Sequence, residues 1–420
     1  MKVLIVGGGG REHAIAWKLS QSPRVPELVC APGNAGIAEV ARLVDADAED
    51  VDAMVRVTKG ESPDLVVIGP EVPLAKGLTD EIESLGIPVF GPNRQCAQLE
   101  ASKSFTKAFL ARHGIPTAAY REYTDIDALK SDIGIFGYPM VLKANGLAAG
   151  KGVVLAKDAA EAERAIEDMM GAKVFGAAGD VVVVEECLRG VEASVLCFVD
   201  GSAIVPMESA QDYKRIGDRD EGPNTGGMGT YSPSLVFTAE LEAQIKERIL
   251  DPTFNGFKED GLDFRGVLFI GLMITDEGPK VIEFNNRFGD PETQSVLRRL
   301  DTDLLDIFVA ATEDRLAGQE IRWSDKRAVC VVMASGGYPG AYEKGKAITG
   351  LSDLDDGAIC FHAGTKFGPG GEILTSGGRV LGVTALGATH EEARAAAYRN
   401  VAKIHFDGEY HRTDIGVVYR

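Results

Sequence analysis

The first hundred residues alternate short apolar runs with amphipathic segments, and this alternation constrains the fold more than any other feature. Strands are predicted at 3–6, 28–30, 65–68 and 88–90, and helices at 12–19 and 78–85. Strands that alternate with helices build a mostly parallel sheet covered by helices on both faces. The sequence therefore predicts an N-terminal doubly wound α/β domain over residues 1–102.

Four glycines at 7–10 form the first strand-to-helix turn, which decides what this domain can bind. A dinucleotide fingerprint needs a third glycine where Glu12 or His13 stands, and no acidic residue ends the second strand. The turn suits a single substrate phosphate at a helix N-terminus better. Two later loops, at 32–36 and 69–74, also follow strands, and each is either a ligand site or a plain turn. The candidate substrate contacts are Gly9, Gly10, Arg11, Asn34 and Glu71.

A glycine-rich loop with two lysines follows an apolar strand at 139–152, in the sequence PMVLKANGLAAGKG. Backbone N–H groups approach an anion closely only where side chains are absent, so this loop suits a nucleotide triphosphate. It is not a Walker A loop, because Asn145 replaces the first glycine and Gly152 replaces the metal-binding hydroxyl. The alternative is an ordinary turn between strands. The candidate phosphate contacts are Lys143, Gly146, Gly150, Lys151 and Gly152.

A metal must then be held elsewhere, and the segment KVIEFNNRFGDPETQ at 280–294 is the candidate. Strand alternation predicts Val281, Glu283, Asn285 and Arg287 on one face, with Ile282 and Phe284 in the core. Magnesium prefers oxygen ligands such as those of Glu283 and Asn285, and an arginine can clamp a transferring phosphoryl group. An edge strand with a solvated polar face is the alternative.

Just downstream, Asp290 and Pro291 are typical of a helix start, with Asp290 as N-cap and Pro291 as the first helical residue. Capping alone would explain Asp290. Its position beside the proposed metal strand also keeps it a candidate catalytic residue.

From residue 102 the pattern changes to an amphipathic helix that carries Lys103 and Lys107, followed by a lid-like unit over about 117–188. The last strand of this unit, at 181–186, ends in Glu185 and Glu186. A strand that leaves a small lobe for a larger one favours an adenine slot with an apolar wall. The alternative is a core strand with a solvated acidic end. The candidate nucleotide contacts are Lys103, Glu185, Glu186, Leu188 and Glu192.

Residues 208–233 are polar, charged and glycine-rich, so they predict a long functional loop or a disordered one. Asp212, Lys214, Arg215 and Asn224 offer both charge signs. These side chains suit a zwitterionic or phosphorylated small substrate.

Composition excludes several classes of function. The chain has 420 residues, 45% of them hydrophobic, and a formal charge of -19, which argues against nucleic acid and anionic membrane as partners. The first strand starts at once after Met1 and no apolar run reaches membrane-helix length. The six cysteines form no C-x-x-C motif, which favours reduced thiols and a cytoplasmic protein. A strand-rich C-terminal domain without catalytic residues is predicted over 326–420.

The ordered motifs resemble the glycinamide ribonucleotide synthetase family of ATP-grasp ligases. They are GGREHA (9–14), GPEVPLAKG (69–77), KANGLAAGKGV (143–153), SAQDYKRIGDRDEGPNTGGMG (209–229), EFNNRFGDPETQ (283–294), ASGGYPG (334–340), FHAGTK (361–366) and RVLGVTA (379–385). The resemblance extends from the first strand to RTDIG at 412–416. It implies an α/β and α+β multidomain protein with a central ATP-grasp fold over 103–325.

The resemblance also implies roles. Lys103 and Lys143 would contact the nucleotide phosphates, the loop 146–152 would close over them, and Glu283 with Asn285 would bind Mg²⁺ or Mn²⁺. Arg287 would face the transferred phosphoryl group. The remaining implied contacts are Glu185 and Leu188 at adenine, Glu192 at ribose, and Asp212 to Arg215 with Asp290 at the substrates.

Family members phosphorylate the glycine carboxylate with ATP, and 5-phosphoribosylamine then displaces phosphate. We expect the same small-molecule substrates here and a monomeric protein. One alternative is a related ATP-grasp carboxylase or formate-using ligase, against which the NTGGMG segment argues. The other is a nucleotide-binding regulator or dehydrogenase, which would need a complete dinucleotide fingerprint.

Overall fold

The computed structural model describes residues 1–147 and 152–418, and its N-terminal unit is a parallel sheet. The strands are β1 (Lys2–Gly7), β2 (Glu27–Pro32), β3 (Arg42–Leu43), β4 (Leu65–Ile68) and β5 (Val89–Phe90), in the order β3-β2-β1-β4-β5. The helices are α1 (Gly10–Leu19), α2 (Val51–Glu61), α3 (Glu71–Lys76), α4 (Leu78–Glu83) and α5 (Arg94–Ala101). Val3 and Ile5 pack in one core and Leu4 and Val6 in another. Both faces are therefore covered, and the doubly wound prediction is confirmed.

The lid follows helix α6 (Lys103–Arg112) and has its own antiparallel sheet. Its elements are β6 (Tyr120–Tyr123), α7 (Ile126–Ser131), β7 (Met140–Ala144), β8 (Val153–Ala156), α8 (Ala159–Ile166) and β9 (Val182–Glu186). The sheet order is β6-β9-β7-β8, and a separate core that includes Leu129, Leu142, Ile166 and Val184 lies beneath it. Helix α8 continues into a π-helical turn at Glu167–Gly171.

The central body is built on an antiparallel sheet in the order β11-β10-β16-β17. Its strands are β10 (Val191–Val199), β11 (Ile204–Pro206), β16 (Gly266–Thr275) and β17 (Gly278–Asn285). Its helices are α9 (Ala239–Ile245), α10 (Asp251–Glu259), α11 (Glu292–Val296) and α12 (Leu304–Thr312). This sheet and the lid sheet form the two walls of a cleft, with β7 on one side and β17 on the other.

Strand β17 carries an irregularity that the predicted alternation missed. Gly271 pairs with Glu283 and Leu272 pairs with Val281, so Ile282 is the extra residue of a β-bulge. Val281 is consequently buried in the body core with Phe284, while Ile282 is half-buried. The prediction that Val281 shares a face with Glu283 and that Ile282 points into the core is therefore wrong.

The C-terminal sheet is antiparallel and crosses the predicted boundary at 326. Its order is β12-β15-β18-β22-β19, with β23 paired to β18. The strands are β12 (Gln211–Asp212), β15 (Gly229–Ser232), β18 (Arg327–Ser335), β19 (Ile359–His362), β22 (Arg379–Gly387) and β23 (Glu409–Tyr410), packed on α13 (His390–Val401). Two hairpins are added, β13 (Arg215–Gly217) with β14 (Glu221–Asn224), and β20 (Thr365–Phe367) with β21 (Ile373–Thr375). The segment 208–233 is thus built into sheet structure.

The N-terminal unit, the body and the C-terminal unit share one hydrophobic core. Ile15 of α1, Phe288 after β17 and Phe361 of β19 belong to the same cluster, and the Trp17 and Phe361 rings lie 5.7 Å apart. The lid core includes none of these residues. Among the described residues, no helix is long and apolar enough to cross a membrane. The six cysteines are free thiols, as the sequence predicted.

Candidate active site

Four cationic side chains surround the Glu283 carboxylate at the mouth of the cleft. Burial alone would raise the pKa of Glu283, but Lys214, Lys143, Lys103 and Arg287 together hold it below its usual value. Lys103 begins α6, Lys143 lies in β7 of the lid, and Glu283 and Arg287 lie in and just after β17. Three separate elements therefore converge on one carboxylate. Four cations that face one carboxylate fit a polyanionic ligand.

Glu283 and Asn285 offer the hard oxygen atoms that magnesium prefers. Asn285 Oδ1 accepts a hydrogen bond from Arg287 at 3.4 Å, so the amide oxygen is directed toward the cation group. In the described part of the chain, no group of three or more His, Cys, Asp or Glu side chains could hold a metal ion by itself. The donor set fits a magnesium ion that takes its other ligands from phosphates and water.

Two carboxylates form ion pairs with Arg287 and hold its guanidinium in place. Glu71 lies 3.5 Å from its Nε and Glu100 lies 3.3 Å from a terminal nitrogen. Burial would raise the pKa of Glu71, but Arg287 and Arg11 hold it below its usual value. The structure therefore places Glu71, a predicted substrate contact, beside the guanidinium of Arg287.

Glu185 lies between two lysines at the base of the lid. Its Oε1 is 2.9 Å from Lys143 Nζ and its Oε2 is 3.1 Å from Lys107 Nζ. The neighbouring Glu186 accepts the backbone N–H of Ala119 at 2.9 Å. The Glu185 carboxylate is thus engaged with cations, and its role at adenine, like that of Glu186 and Leu188, stays a prediction.

The predicted loop contacts fall partly outside the described residues. Lys103 Nζ donates to the Gly146 carbonyl at 2.7 Å, and Gly152 accepts the backbone N–H of Ala144 at 2.8 Å. Asn145 accepts a hydrogen bond from the backbone N–H of Ser104 at 3.1 Å, which joins the loop to α6. Gly150 and Lys151 lie outside the described residues.

Two carboxylates, half-buried Asp212 and buried Glu292, lie beside the cation group. Burial raises the pKa of Asp212 well above its usual value, and the charge of Glu292 raises it further. Burial likewise raises the pKa of Glu292. Asp212 Oδ1 is buried without a hydrogen-bond partner, and a Cβ atom on Gly227 would lie 2.8 Å from it. An unpartnered carboxylate oxygen next to a glycine, with a second carboxylate nearby, suits a small cationic group.

Lys214 bridges this carboxylate pair and the cation group. Its Nζ lies 3.5 Å from Glu192 Oε2. Glu192, Asp212, Lys214 and Ile282 line a cavity of about 10 Å³, which is roughly the room for one water-sized group. The structure thus brings together Lys214, Asp212 and Glu192, which the sequence assigned to different ligands.

The prediction for Asp290 as a helix N-cap is wrong. Helix α11 starts at Glu292 with Pro291 as its N-cap and no capping side chain. Asp290 instead accepts the backbone N–H of Arg11 at 3.4 Å and the Gln294 amide at 2.8 Å, and Arg379 lies 3.5 Å away. Asp290 therefore joins α1, α11 and the C-terminal sheet.

The α1 N-terminus is already occupied by the protein's own carboxylates. Glu12 accepts the backbone N–H of Gly9 at 2.6 Å, and Asp290 lies close to both Gly9 and Gly10. The Arg11 guanidinium is buried, where it pairs with Glu12 at 2.5 Å and donates to the Phe288 carbonyl at 3.2 Å. A substrate phosphate at this turn stays a prediction, but Arg11 is committed to other partners.

The other predicted substrate contacts are not gathered around Glu283. Asn34 is buried, where it donates to the carbonyls of Gly8 and His362 and accepts the backbone N–H groups of Gly36 and Ile37. Arg215 donates to the Gly222 carbonyl at 2.8 Å, within the β13–β14 hairpin. Asn224 is exposed on the same hairpin, paired with Arg215.

Sequence reasoning missed four charged side chains at this site: Lys107, Glu100, Glu292 and Arg379. Glu292 and Arg379 stand inside motifs that had already drawn attention, so their charge was the available signal. Lys107 and Glu100 lie on amphipathic helices, where a polar residue is ordinarily solvent-facing.

The fold is shared with solved biotin carboxylase structures. The biotin carboxylase domain of the Hydrogenobacter thermophilus 2-oxoglutarate carboxylase superposes with a TM-score of 0.73 at 16% identity, over 98% of this chain and 91% of that one. At that identity the likeness shows the fold alone. A family model that matches residues 101–293 defines the class as ATP-grasp.

Family models and close relatives narrow the class. The N, ATP-grasp and C domains of phosphoribosylglycinamide synthetase match residues 1–100, 101–293 and 328–418. Phosphoribosylamine–glycine ligases of Rhizobium meliloti and Caldanaerobacter subterraneus are 51% and 47% identical, over 99% and 100% of this chain and 98% and 100% of theirs. The Thermotoga maritima phosphoribosylamine–glycine ligase structure matches with a TM-score of 0.85 at 34% identity, over 99% of this chain and 100% of that one. The chain belongs to the phosphoribosylglycinamide synthetase family.

Proposed function

We propose that this protein is an ATP-dependent ligase of purine biosynthesis that joins glycine to 5-phosphoribosylamine. The products are glycinamide ribonucleotide, ADP and phosphate. The observation that carries the proposal is a cation group around Glu283 placed next to the carboxylates of Asp212 and Glu292. A triphosphate and an amino acid fit these two neighbouring environments.

The reaction proceeds in two displacements. A glycine carboxylate oxygen attacks the γ-phosphorus of ATP, the bond to the β,γ-bridging oxygen breaks, and ADP leaves. The amine of phosphoribosylamine then attacks the carbonyl carbon of glycyl phosphate, phosphate leaves, and the nitrogen loses a proton. Lys103, Lys143 and Arg287 would bind the phosphates and neutralise their charge, since positioning and electrostatics dominate phosphoryl transfer.

Glu283 and Asn285 would hold the metal, Mg²⁺ with Mn²⁺ as an alternative, which neutralises phosphate charge when bound. Arg287 stays next to Asn285 through its contacts with Glu71 and Glu100. This second layer keeps the guanidinium directed toward the cleft.

Asp212 and Glu292 would hold the ammonium group of glycine. An ammonium supplies the positive charge that the pair lacks, and its three donors suit carboxylate oxygens. Lys214 lies on the same side and would meet the glycine carboxylate. Gly227 leaves the space in front of Asp212 Oδ1 open. Asp290, Gly9 and Gly10 remain the proposed wall for phosphoribosylamine, because they meet at the junction of three domains.

The test is a phosphate-release assay with ATP, Mg²⁺, glycine and phosphoribosylamine, in which each component is omitted in turn. Release should require all four, and glycinamide ribonucleotide should form in equal amount to phosphate. Phosphate release that does not depend on glycine would refute the proposal. We further infer a monomer that acts in the cytoplasm. Light scattering on the purified protein and fractionation of the source cells would test these two points.

A further inference from the structure

Lys107 is a charged side chain that the proposed reaction does not use, and it is almost completely buried. It lies on α6 in the body with 3% of its surface exposed. A buried lysine is costly unless its charge is paired and its donors are bonded. The residues in contact with Lys107 therefore indicate the role of its positive charge.

The contacts of Lys107 lie at the two places where the chain crosses between body and lid. At the entry its Nζ donates to Thr117 Oγ1 at 2.8 Å and lies 5.3 Å from the centre of the Tyr120 ring. At the exit it pairs with Glu185 Oε2 at 3.1 Å. Tyr120 and Glu185 are themselves a cross-strand pair of β6 and β9. The Lys107 ammonium group therefore contacts both segments that connect the body to the lid.

The same contact continues to the nucleotide site. Glu185 binds Lys107 with one oxygen and faces Lys143 at 2.9 Å with the other. Lys143 Nζ also donates to the Ile282 carbonyl at 3.1 Å, beside Glu283. Two lysines that share one carboxylate keep a net positive charge. Without Lys107, Glu185 would neutralise Lys143 and draw it away from the cleft.

We infer that Lys107 is a positioning residue for nucleotide binding, which acts through Glu185 to hold Lys143 and the lid base in place. The inference rests on the proposed use of ATP. It assigns Lys107 no contact with nucleotide. It predicts instead that the effect of Lys107 depends on the presence of the Glu185 carboxylate.

The test is a double-mutant cycle on nucleotide affinity, measured by calorimetry with the non-hydrolysable analogue AMP-PNP and Mg²⁺. Lys107→Met should weaken binding on the order of ten-fold, as expected for loss of one charge near a phosphate at protein dielectric. In a Glu185→Gln background the same substitution should change the dissociation constant by less than about three-fold. Equal losses in both backgrounds, or no loss in either, would overturn the inference.

Lys130→Met is the matched control, since Lys130 forms a lid ion pair with Glu167 at 3.0 Å in which both side chains are solvent-exposed. It should leave the dissociation constant unchanged. If Lys107→Met does not fold, Lys107→Gln still donates to Thr117 and must weaken binding by a similar factor. Because only nucleotide binding is measured, a failed cycle is distinguishable from a failed ligase assay.

Discussion

Replacing Asp212 by asparagine should make the protein more stable and less active, and this opposite pair of effects tests the proposed glycine site. In the absence of glycine, Asp212 Oδ1 is buried without a partner and its charge is opposed by Glu292. The amide removes that repulsion. It also removes a negative charge from the position assigned to the glycine ammonium.

The sizes follow from hydrogen-bond energies. A hydrogen bond to a charged group is worth about 1.5–3 kcal/mol, roughly twice a neutral one. Replacing the carboxylate by an amide therefore weakens the binding of glycine by about 1–2 kcal/mol. This corresponds to a rise of about 5- to 30-fold in KM for glycine. KM for ATP should stay within about two-fold. Removal of a carboxylate charge that burial and Glu292 disfavour should raise the free energy of unfolding by about 1 kcal/mol or more.

The pH dependence has a definite sign. The folded-state pKa of Asp212 is raised above its unfolded value, because of burial and then Glu292, while Lys214 and Arg379 oppose the shift. The wild-type protein therefore loses stability as pH rises from the unfolded pKa through the folded one. The advantage of Asp212→Asn should grow with pH across that window and then level off.

Steady-state kinetics with varied glycine, together with thermal unfolding from pH 4 to 8, measures both effects. Ser209→Ala is a suitable control. Ser209 precedes Asp212 in the same segment, and its hydroxyl accepts a hydrogen bond from the Ser234 backbone N–H. A variant with wild-type KM for glycine, or one that unfolds at lower temperature than wild type at pH 8, would refute the reasoning.

Three further predictions concern metal, arginine and thiols. Glu283→Gln should lose at least about 100-fold in kcat while remaining folded. Glu277→Gln, at the exposed β16–β17 turn, is the control and should not lose activity. Near wild-type rates of Glu283→Gln at limiting magnesium would show that the metal ligand is misassigned. Arg287→Met should lower the free energy of unfolding by about 3–5 kcal/mol, because Glu71 and Glu100 lose their guanidinium; denaturant titration checks this, and an unchanged midpoint contradicts it. Native protein should expose at most two thiols to Ellman's reagent, and reaction of more would contradict the buried set Cys30, Cys96, Cys197 and Cys330.

The architecture was predictable because it depends on local patterns. Four of the five N-terminal strands and helices α1 and α4 were predicted from apolar runs and amphipathic segments, whereas β3, α2, α3 and α5 were not predicted. In the lid, β7 and β9 were predicted in the same way and β6 and β8 were not, and the C-terminal unit was predicted as strand-rich. These elements contain few exceptions to their period, so the pattern and the structure agree.

The site was less predictable where the position of a side chain depends on a residue that is distant in the sequence. The bulge at Ile282 arises from pairing with β16, and a single strand's alternation carries no information about an extra residue. Asp290 has the local signature of an N-cap, yet its carboxylate accepts the backbone N–H of Arg11 and lies 3.5 Å from the guanidinium of Arg379. These residues are 279 and 89 positions away in the sequence. Capping rules consider only neighbouring residues in the sequence. The Asp290 carboxylate instead interacts with residues of two other domains.

The distribution of cores shows which part of the protein can move during the reaction. The N-terminal unit, body and C-terminal unit are joined through one apolar cluster, so their relative displacement would expose buried aromatic surface. The lid has a separate core and is held to α6 and β17 by contacts of Lys103, Lys107 and Lys143. Two of these lysines are the ones proposed to bind phosphate. If these two lysines bind phosphate as proposed, nucleotide would compete with the contacts that hold the lid, and lid position would be coupled to ligand binding.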